Sequence, residues 1–122
     1  MVMDGASSGR TEIGYTGAVG STIGLLKPLN SFNYPLFLYQ FLKTNENYIK
    51  DNTTGSAIPH ADKALILDLE FYFSNELQIQ EFEILMQGWF DKKQLNNIQI
   101  RTLTQLRDTL LPKLMSGKVR VN

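Results

Sequence analysis

An apolar stripe at helical spacing runs through residues 75–112 and limits what this chain can fold into more than any other feature. Apolar residues recur there at intervals of three and four positions: Phe82, Leu85, Met86, Trp89, Phe90, Leu95, Ile98, Leu103, Leu106, Leu110 and Leu114. A helix of about 35 residues is roughly 50 Å long, at a rise of about 1.5 Å per residue. The 74 residues before it are too few to cover that length, so we expect its second half to project and to require a partner.

Gly88 lies inside this stripe and weakens a helix by about 1 kcal/mol relative to Ala. A bend at this glycine would let the helix fold back and bury its own leucines, which is the alternative to a projecting helix. Pro112 and Gly117 predict the end of the helix.

The first 74 residues predict a different kind of structure. Six glycines punctuate residues 1–30 too often for a helix, so this part predicts short strands joined by tight turns. Ser31 and Asn33 before Pro35 are typical of a helix start, and apolar residues at helical spacing follow as far as Ile49.

Residues 65–73 alternate between apolar and polar side chains, as a half-buried strand does. Together with the preceding patterns, this predicts an α+β fold. A small strand- and turn-rich portion with one packed helix is followed by a long C-terminal helix that forms a coiled-coil-type spacer.

Composition excludes several kinds of site. The chain has no cysteine, which rules out disulfides and thiolate chemistry and fits a reducing cytoplasm. His60 is the only histidine and has neither the neighbours of a metal site nor those of a catalytic triad. Residues 5–11 lack the Gly-Lys-Ser/Thr ending of a phosphate loop, and no apolar run approaches the roughly 18 residues of a membrane span. We therefore expect no catalytic residue, no metal, no cofactor and no membrane contact, and a cytoplasmic protein.

The charge is balanced but unevenly spread. Twelve basic and twelve acidic residues cancel, so the net charge does not indicate a nucleic-acid partner. From Arg101 onwards, five basic residues stand against one acid, Asp108. A solvated helix face and tail accounts for this excess as readily as DNA binding does.

Residues 91–119 carry a series of short motifs, which read DKKQLNN at 91–97, TLTQLRD at 102–108 and LLPKLMSGKV at 110–119. This series resembles the conserved helix of type I restriction–modification specificity subunits and its ending LRD-x-LLP-x-L-x-SG. Gln80 falls where the family has the glutamine of a Glu-Gln pair that opens this helix.

Upstream, DGASSGR at 4–10, GAVGST at 17–22 and GSAIPH at 55–60 resemble turns of the family's target recognition domain. The resemblance implies a partial DNA target recognition domain at 1–74. At 75–122 it implies the conserved spacer and dimerisation helix with a short tail.

The chain departs from the family pattern in two ways. Ser74, Asn75 and Glu76 stand where the family usually has prolines, and Ile79 replaces the glutamate of the Glu-Gln pair. Family members also carry two recognition domains, each followed by a helix, whereas this chain holds the latter part of one domain and one helix. A truncated gene, a half-subunit and a fragment would each account for this.

By this resemblance the chain is a non-catalytic component that directs methyltransferase and restriction subunits to a bipartite double-stranded DNA target. In a full subunit two such helices pair antiparallel, and they dock two methyltransferase subunits. With one helix present, we expect a homodimer through a leucine-rich stripe made of Leu95, Ile98, Leu103, Leu106 and Leu110.

The candidate DNA contacts lie in two loops. The first loop supplies Ser7, Ser8, Arg10 and Thr11, and the second supplies Thr53, Ser56 and His60. Hydroxyls and arginine suit phosphate positioning, and arginine can also read a guanine. The alternative is a truncated helical interaction module that no longer binds DNA by itself.

Overall fold

A computed structural model describes residues 1–14, 17–29, 32–73 and 75–118 of the chain. The predictions that involve Ser31, Ser74 and the tail at 119–122 lie outside the described residues. Four helices occur in the described part of the chain: α1 (Pro35–Thr44), α2 (Glu46–Asp51), α3 (Lys63–Leu67) and α4 (Glu76–Met115). The chain divides into two compact units, Met1–Ile84 and Leu85–Asn122.

The predicted strand- and turn-rich α+β fold is wrong. Helices make up 54% of the described residues and strand only 4%, and these residues form no sheet. Antiparallel pairing is confined to isolated bridges: Val2 with Ile23, Asp4 with His60, and Thr54 with His60. The turns themselves are present. Gly5 and Gly9 take φ angles of +95° and +88° and turn the chain back before a ladder can extend.

The predicted strand at 65–73 is also wrong, because residues 65–67 belong to α3 and residues 68–73 form no strand. The carboxylate of Asp62 caps this helix, accepting hydrogen bonds from the N–H of Ala64 at 2.8 Å and of Leu65 at 3.4 Å. A capped first turn satisfies donors that a strand would have to pair with a neighbour. Alternating apolar residues therefore could not select a strand here, because no partner strand exists within the described residues.

The predicted helix after Pro35 is present, but it is divided into α1 and α2. Asn45 separates the two, and its side-chain amide donates to the carbonyl of Phe41 at 2.8 Å. An asparagine that bonds to the backbone in this way competes with helix continuation. Pro35 occupies the first turn of α1, where its missing N–H costs nothing.

The predicted long C-terminal helix is confirmed. α4 continues through Gly88 and also through Pro112, the first of the two residues that were expected to end it. It closes one turn later, where Lys118 N–H bonds to the Lys113 carbonyl and Gly117 N–H to the Leu114 carbonyl, each at 3.0 Å. Gly117 has a φ of +70°, so these bonds form the two-bond C-terminal cap that glycine favours.

The Met1–Ile84 unit has an aliphatic core beside an aromatic cluster. Ile49 is fully buried, and the core around it consists of Met1, Leu42, Ala61 and Ile66. In the aromatic cluster the ring of Phe71 lies 5.2–5.8 Å, centroid to centroid, from the rings of its neighbours Phe32, Phe37, Phe41 and Phe73. Such distances are typical of edge-on and offset ring packing.

Glu83, on α4, supplies the N-terminal cap that α1 lacks in its own sequence. The residue preceding α1, Tyr34, makes no side-chain capping bond. Instead the two carboxylate oxygens of Glu83 accept hydrogen bonds from the N–H groups of Leu36 and Phe37, both at 2.9 Å. A carboxylate at this position also meets the positive end of the helix dipole. The contact fastens the start of α4 to α1.

We expect Glu83→Gln to lower the free energy of unfolding by about 1 kcal/mol, because a neutral amide with one acceptor oxygen replaces a bidentate carboxylate cap. Urea unfolding followed by circular dichroism measures this change. Glu81→Gln is the matched control, since Glu81 is exposed on the same helix and its side chain forms no hydrogen bond or ion pair within the described residues. Equal losses for the two variants would show that the cap contributes nothing.

Candidate functional site

The two loops that the sequence singled out as DNA contacts lie side by side. Asp4 and His60 form an antiparallel bridge across 56 residues of sequence. On either side of it, Gly5 N–H donates to the Pro59 carbonyl at 2.8 Å and Ala61 N–H to the Met3 carbonyl at 2.7 Å. Residues 4–11 (the first loop) and 53–60 (the second loop) therefore lie next to each other in the Met1–Ile84 unit and meet at Asp4 and His60.

The first loop is a tight turn whose shape depends on glycine. Ser8 N–H bonds to the Gly5 carbonyl at 2.9 Å, and Arg10 N–H to the Ser7 carbonyl at 3.1 Å. A Cβ on Gly9 would lie 3.1 Å from the Cγ2 atom of Ile49, so a larger residue there would press on the core. The turn is thus packed directly against the most buried side chain of the unit.

The four candidates of the first loop fall into two pairs. Ser7 and Arg10 are exposed, whereas Ser8 and Thr11 are 3% and 4% exposed. The Thr11 hydroxyl donates to the Gly9 carbonyl at 3.3 Å, and the Ser8 hydroxyl has no partner in the described structure. Ser7 and Arg10 are accessible from solvent, while Ser8 and Thr11 face the interior of the unit.

Arg10 is exposed, and its guanidinium group forms an ion pair with Glu12. Its Nε and Nη2 atoms both donate to one carboxylate oxygen of Glu12, at 3.0 and 2.9 Å. The Arg10 side chain is 59% exposed, and an ion pair in that setting is weak. The pair holds the guanidinium at the surface, where a phosphate or a guanine edge could replace the carboxylate.

Glu46, which the sequence reasoning did not select, anchors the end of the first loop. Its carboxylate accepts hydrogen bonds from the Thr11 N–H and, at 2.9 Å, from the Lys43 ammonium. Partial burial disfavours the charged carboxylate, but these hydrogen bonds outweigh it and hold the pKa of Glu46 below its usual range. The hydrogen bond between Lys43 and Glu46 raises the pKa of Lys43.

The second loop presents Ser56 and His60 to solvent and leaves Thr53 half-buried. Thr54 and His60 exchange two backbone hydrogen bonds of 2.8 and 2.7 Å, which close the loop at its base. Gly55 has a φ of +91°, a backbone conformation that residues other than glycine rarely adopt. His60 Nδ1 lies 2.7 Å from the carboxylate of Asp4.

The second unit presents the predicted partner stripe. Leu95, Ile98, Leu103, Leu106 and Leu110 are all accessible, with exposed fractions from 36% for Leu110 to 63% for Leu103. Residues 85–122 also hold an excess of positive charge, with seven basic residues against two acidic ones, whereas residues 1–84 hold five against ten. The opposite charges of the two units cancel in the whole chain.

Two other kinds of site were searched for within the described ranges. These residues contain no cluster of three or more His, Asp or Glu side chains that could hold a metal ion. No helix among them is both long and apolar enough to cross a membrane.

Comparison with known proteins finds relatives at the level of sequence. The chain is 24% identical over 119 residues to the type I restriction enzyme MjaVIII specificity subunit of Methanocaldococcus jannaschii, an alignment that covers 98% of the chain and 28% of that protein. It is 32% identical over 93 residues to the MjaIX specificity subunit of the same organism, which covers 76% of the chain and 21% of that protein. No family model matches the chain, and no solved structure matches it.

The chain spans about a quarter of the length of these curated relatives. The alignments are not confined to the motifs of residues 91–119, because the longer one takes in almost every residue. The resemblance predicted from the sequence is therefore confirmed: the chain is a relative of type I restriction enzyme specificity subunits and corresponds to about a quarter of such a protein.

Proposed function

We propose that this chain is a non-catalytic DNA-recognition part of a type I restriction–modification specificity subunit. The observation that carries the proposal is the similarity to two such subunits, one of them over 98% of the chain. In this proposal residues 1–74 are part of a target recognition domain, and residues 75–122 are the conserved spacer helix with its tail. The assembled complex would add methyltransferase and restriction subunits, and would direct them to a bipartite double-stranded target.

The meeting of the two loops supports a DNA-facing surface. A base-reading surface needs several polar side chains within the width of one groove, and the Asp4–His60 bridge brings Ser7, Arg10 and Ser56 onto neighbouring loops. Ser8 and Thr11 would serve this surface from inside the turn. As exposed loop side chains on a packed scaffold, Ser7, Arg10, Ser56 and His60 are the candidates for direct contact.

The distribution of charge indicates how such a surface would work. Residues 1–84 carry twice as many acids as bases, so this unit alone would attract phosphates poorly. Affinity would come from the basic residues after Leu85, from the rest of the subunit and from its partners. The loops would then supply discrimination between bases rather than most of the binding free energy.

We expect Arg10→Ala to weaken binding to a preferred duplex by about 1–3 kcal/mol, because Arg10 is the exposed side chain suited to a guanine edge. Selection from randomised duplexes identifies the preferred sequence, and fluorescence anisotropy at low and moderate salt measures the affinities. Arg10→Lys, which keeps the charge but loses the planar fork, should retain binding to random duplexes and lose the preference. If Arg10→Ala leaves the affinity for both duplexes unchanged, Arg10 is not a contact.

A second function, self-association through the helix, is favoured by the exposure of the leucine-rich stripe. Burying such a side chain is worth roughly 1.5–3 kcal/mol, and an antiparallel pair of identical helices would bury both stripes at once. If the chain is only this interaction module, it dimerises without binding DNA. Salt separates the two activities, since it weakens binding to phosphates but screens repulsion between two basic helices and should strengthen their pairing.

A further inference from the structure

His60 is held in one orientation from three directions. Its backbone pairs with Thr54 through two hydrogen bonds of 2.8 and 2.7 Å. Its ring nitrogen Nδ1 lies 2.7 Å from Asp4. Its other ring edge lies over Gly55, because a Cβ built on that glycine would be 2.8 Å from the ring carbon Cδ2 and 3.5 Å from Nε2. A histidine without a binding role in an exposed loop would not need this fixed orientation.

The carboxylate of Asp4 determines which ring nitrogen carries the proton. An ionised carboxylate can only accept hydrogen bonds, so the partner at 2.7 Å must be an Nδ1–H group. In a neutral imidazole the second nitrogen, Nε2, then has a lone pair and accepts. The default tautomer of a free imidazole side chain is the opposite one, with the proton on Nε2.

The Nε2 atom is open to a ligand. It bonds to no residue in the described ranges, and the His60 side chain is 49% exposed. Gly55 leaves room beside it, since any side chain at that position would overlap the ring and would lie 2.4 Å from the Ile58 carbonyl oxygen. The site therefore presents a single, directed hydrogen-bond acceptor on the surface where the two loops meet.

We propose that Nε2 of His60 reads an exocyclic amino group in the major groove, N6 of adenine or N4 of cytosine, and that Asp4 is the positioning residue that makes this nitrogen an acceptor. These two amino groups are the donors that bases present in that groove. A guanine or a thymine at the same position would present an acceptor oxygen to Nε2, which is itself an acceptor, so no hydrogen bond could form. The inference rests on the proposed DNA-recognition function and assigns the class of base that this part of the surface selects.

The first test concerns the tautomer and needs no DNA. The chain has one histidine, so a long-range ¹H–¹⁵N spectrum of the whole chain at pH 8 contains a single imidazole. We expect the proton on Nδ1 in the unmodified chain, and a shift of most of the population to the Nε2–H form in Asp4→Asn, whose amide is a weaker acceptor. Asp51→Asn, which removes the same charge at an exposed site on α2, should leave the spectrum unchanged. A proton on Nε2 in the unmodified chain would overturn the inference.

The second test concerns the base. In selections from randomised duplexes, the unmodified chain should prefer adenine or cytosine at one position by about tenfold, equivalent to about 1.4 kcal/mol. His60→Ala and Asp4→Asn should both lose this preference and keep the preferences at other positions, as Asp51→Asn keeps all of them. If a motif is enriched and His60→Ala changes none of it, the inference fails alone. If no duplex is enriched by any variant, the DNA-recognition function fails and the reading role with it, whatever the spectrum shows.

Discussion

Changing Leu103 and Leu106 to Asp is expected to convert a dimer of this chain into monomers. The two side chains are 63% and 51% exposed in the single chain, and each buried leucine would contribute roughly 1.5–3 kcal/mol to a paired helix. A two-fold antiparallel pair buries each of them twice. The double variant removes that apolar contact and places four carboxylates in a seam that offers them no partner.

Sedimentation at tens of micromolar measures the state of association. The control is the pair Asn97→Asp and Thr104→Asp, which adds the same charge at exposed positions on the side of the helix away from the stripe, about 100° or more from each of its five residues. This control should remain dimeric, and both double variants should keep the Met1–Ile84 unit folded. A monomeric unmodified chain at that concentration would contradict self-pairing and leave the stripe to another partner.

Ile49→Ala is expected to cost about 2–5 kcal/mol of the free energy of unfolding of the first unit, the range for emptying a fully buried aliphatic site. Ile49 is the only described residue with a large, fully buried side chain, and it packs against both the core cluster and the Gly9 turn of the first loop. The cavity would therefore loosen the loop as well as the core. A unit of this size has modest stability, so the loss is a large fraction of the total.

Urea unfolding of the whole chain provides the measurement. Ile84→Ala is the matched control, since Ile84 belongs to the same unit but is 75% exposed, and its change should stay within about 0.5 kcal/mol. A loss below about 1 kcal/mol for Ile49→Ala would mean that the site collapses around the missing atoms. The role of Ile49 as the centre of the core would then be wrong.

The helical parts of the fold could be predicted because their signals are local. The stripe from Phe82 to Leu114 repeats often enough to specify α4, and Pro35 marks the start of α1. Of the two residues expected to end α4, Pro112 lies inside the helix, whereas Gly117 forms the cap at its end. The true end required the two-bond cap at Gly117.

The strand predictions were wrong because a strand depends on a neighbouring strand, which the local sequence pattern does not show. Alternation at 65–73 describes which side chains are apolar, but a strand also needs a neighbour to satisfy its backbone. Within the described residues there is none, and the Asp62 cap makes a helix the better local solution. The glycine-rich first segment likewise forms turns with single bridges, because its turns reverse the chain every few residues.

The candidate site was predictable only through resemblance to other proteins. Ser7, Arg10, Ser56 and His60 came from motifs, and the structure brings the loops that hold them together. Asp4, Glu46 and Gly55 were missed, because their partners lie far away in sequence or depend on a backbone angle. Asp4 meets His60 across 56 positions and Glu46 meets Thr11 across 35, and no periodicity in a single sequence encodes such pairs.

The placement of the aromatic residues allows the first unit and the distal part of α4 to be followed by different spectroscopic signals. Its five tyrosines all precede residue 85, and its single tryptophan, Trp89, follows it and is 66% exposed on α4. The near-ultraviolet circular dichroism of the packed tyrosine and phenylalanine rings will therefore follow melting of the first unit. Indole fluorescence, excited at the red edge where tyrosine does not absorb, will follow the helix. An unlabelled sample can thus separate core melting from helix pairing by comparing the two signals.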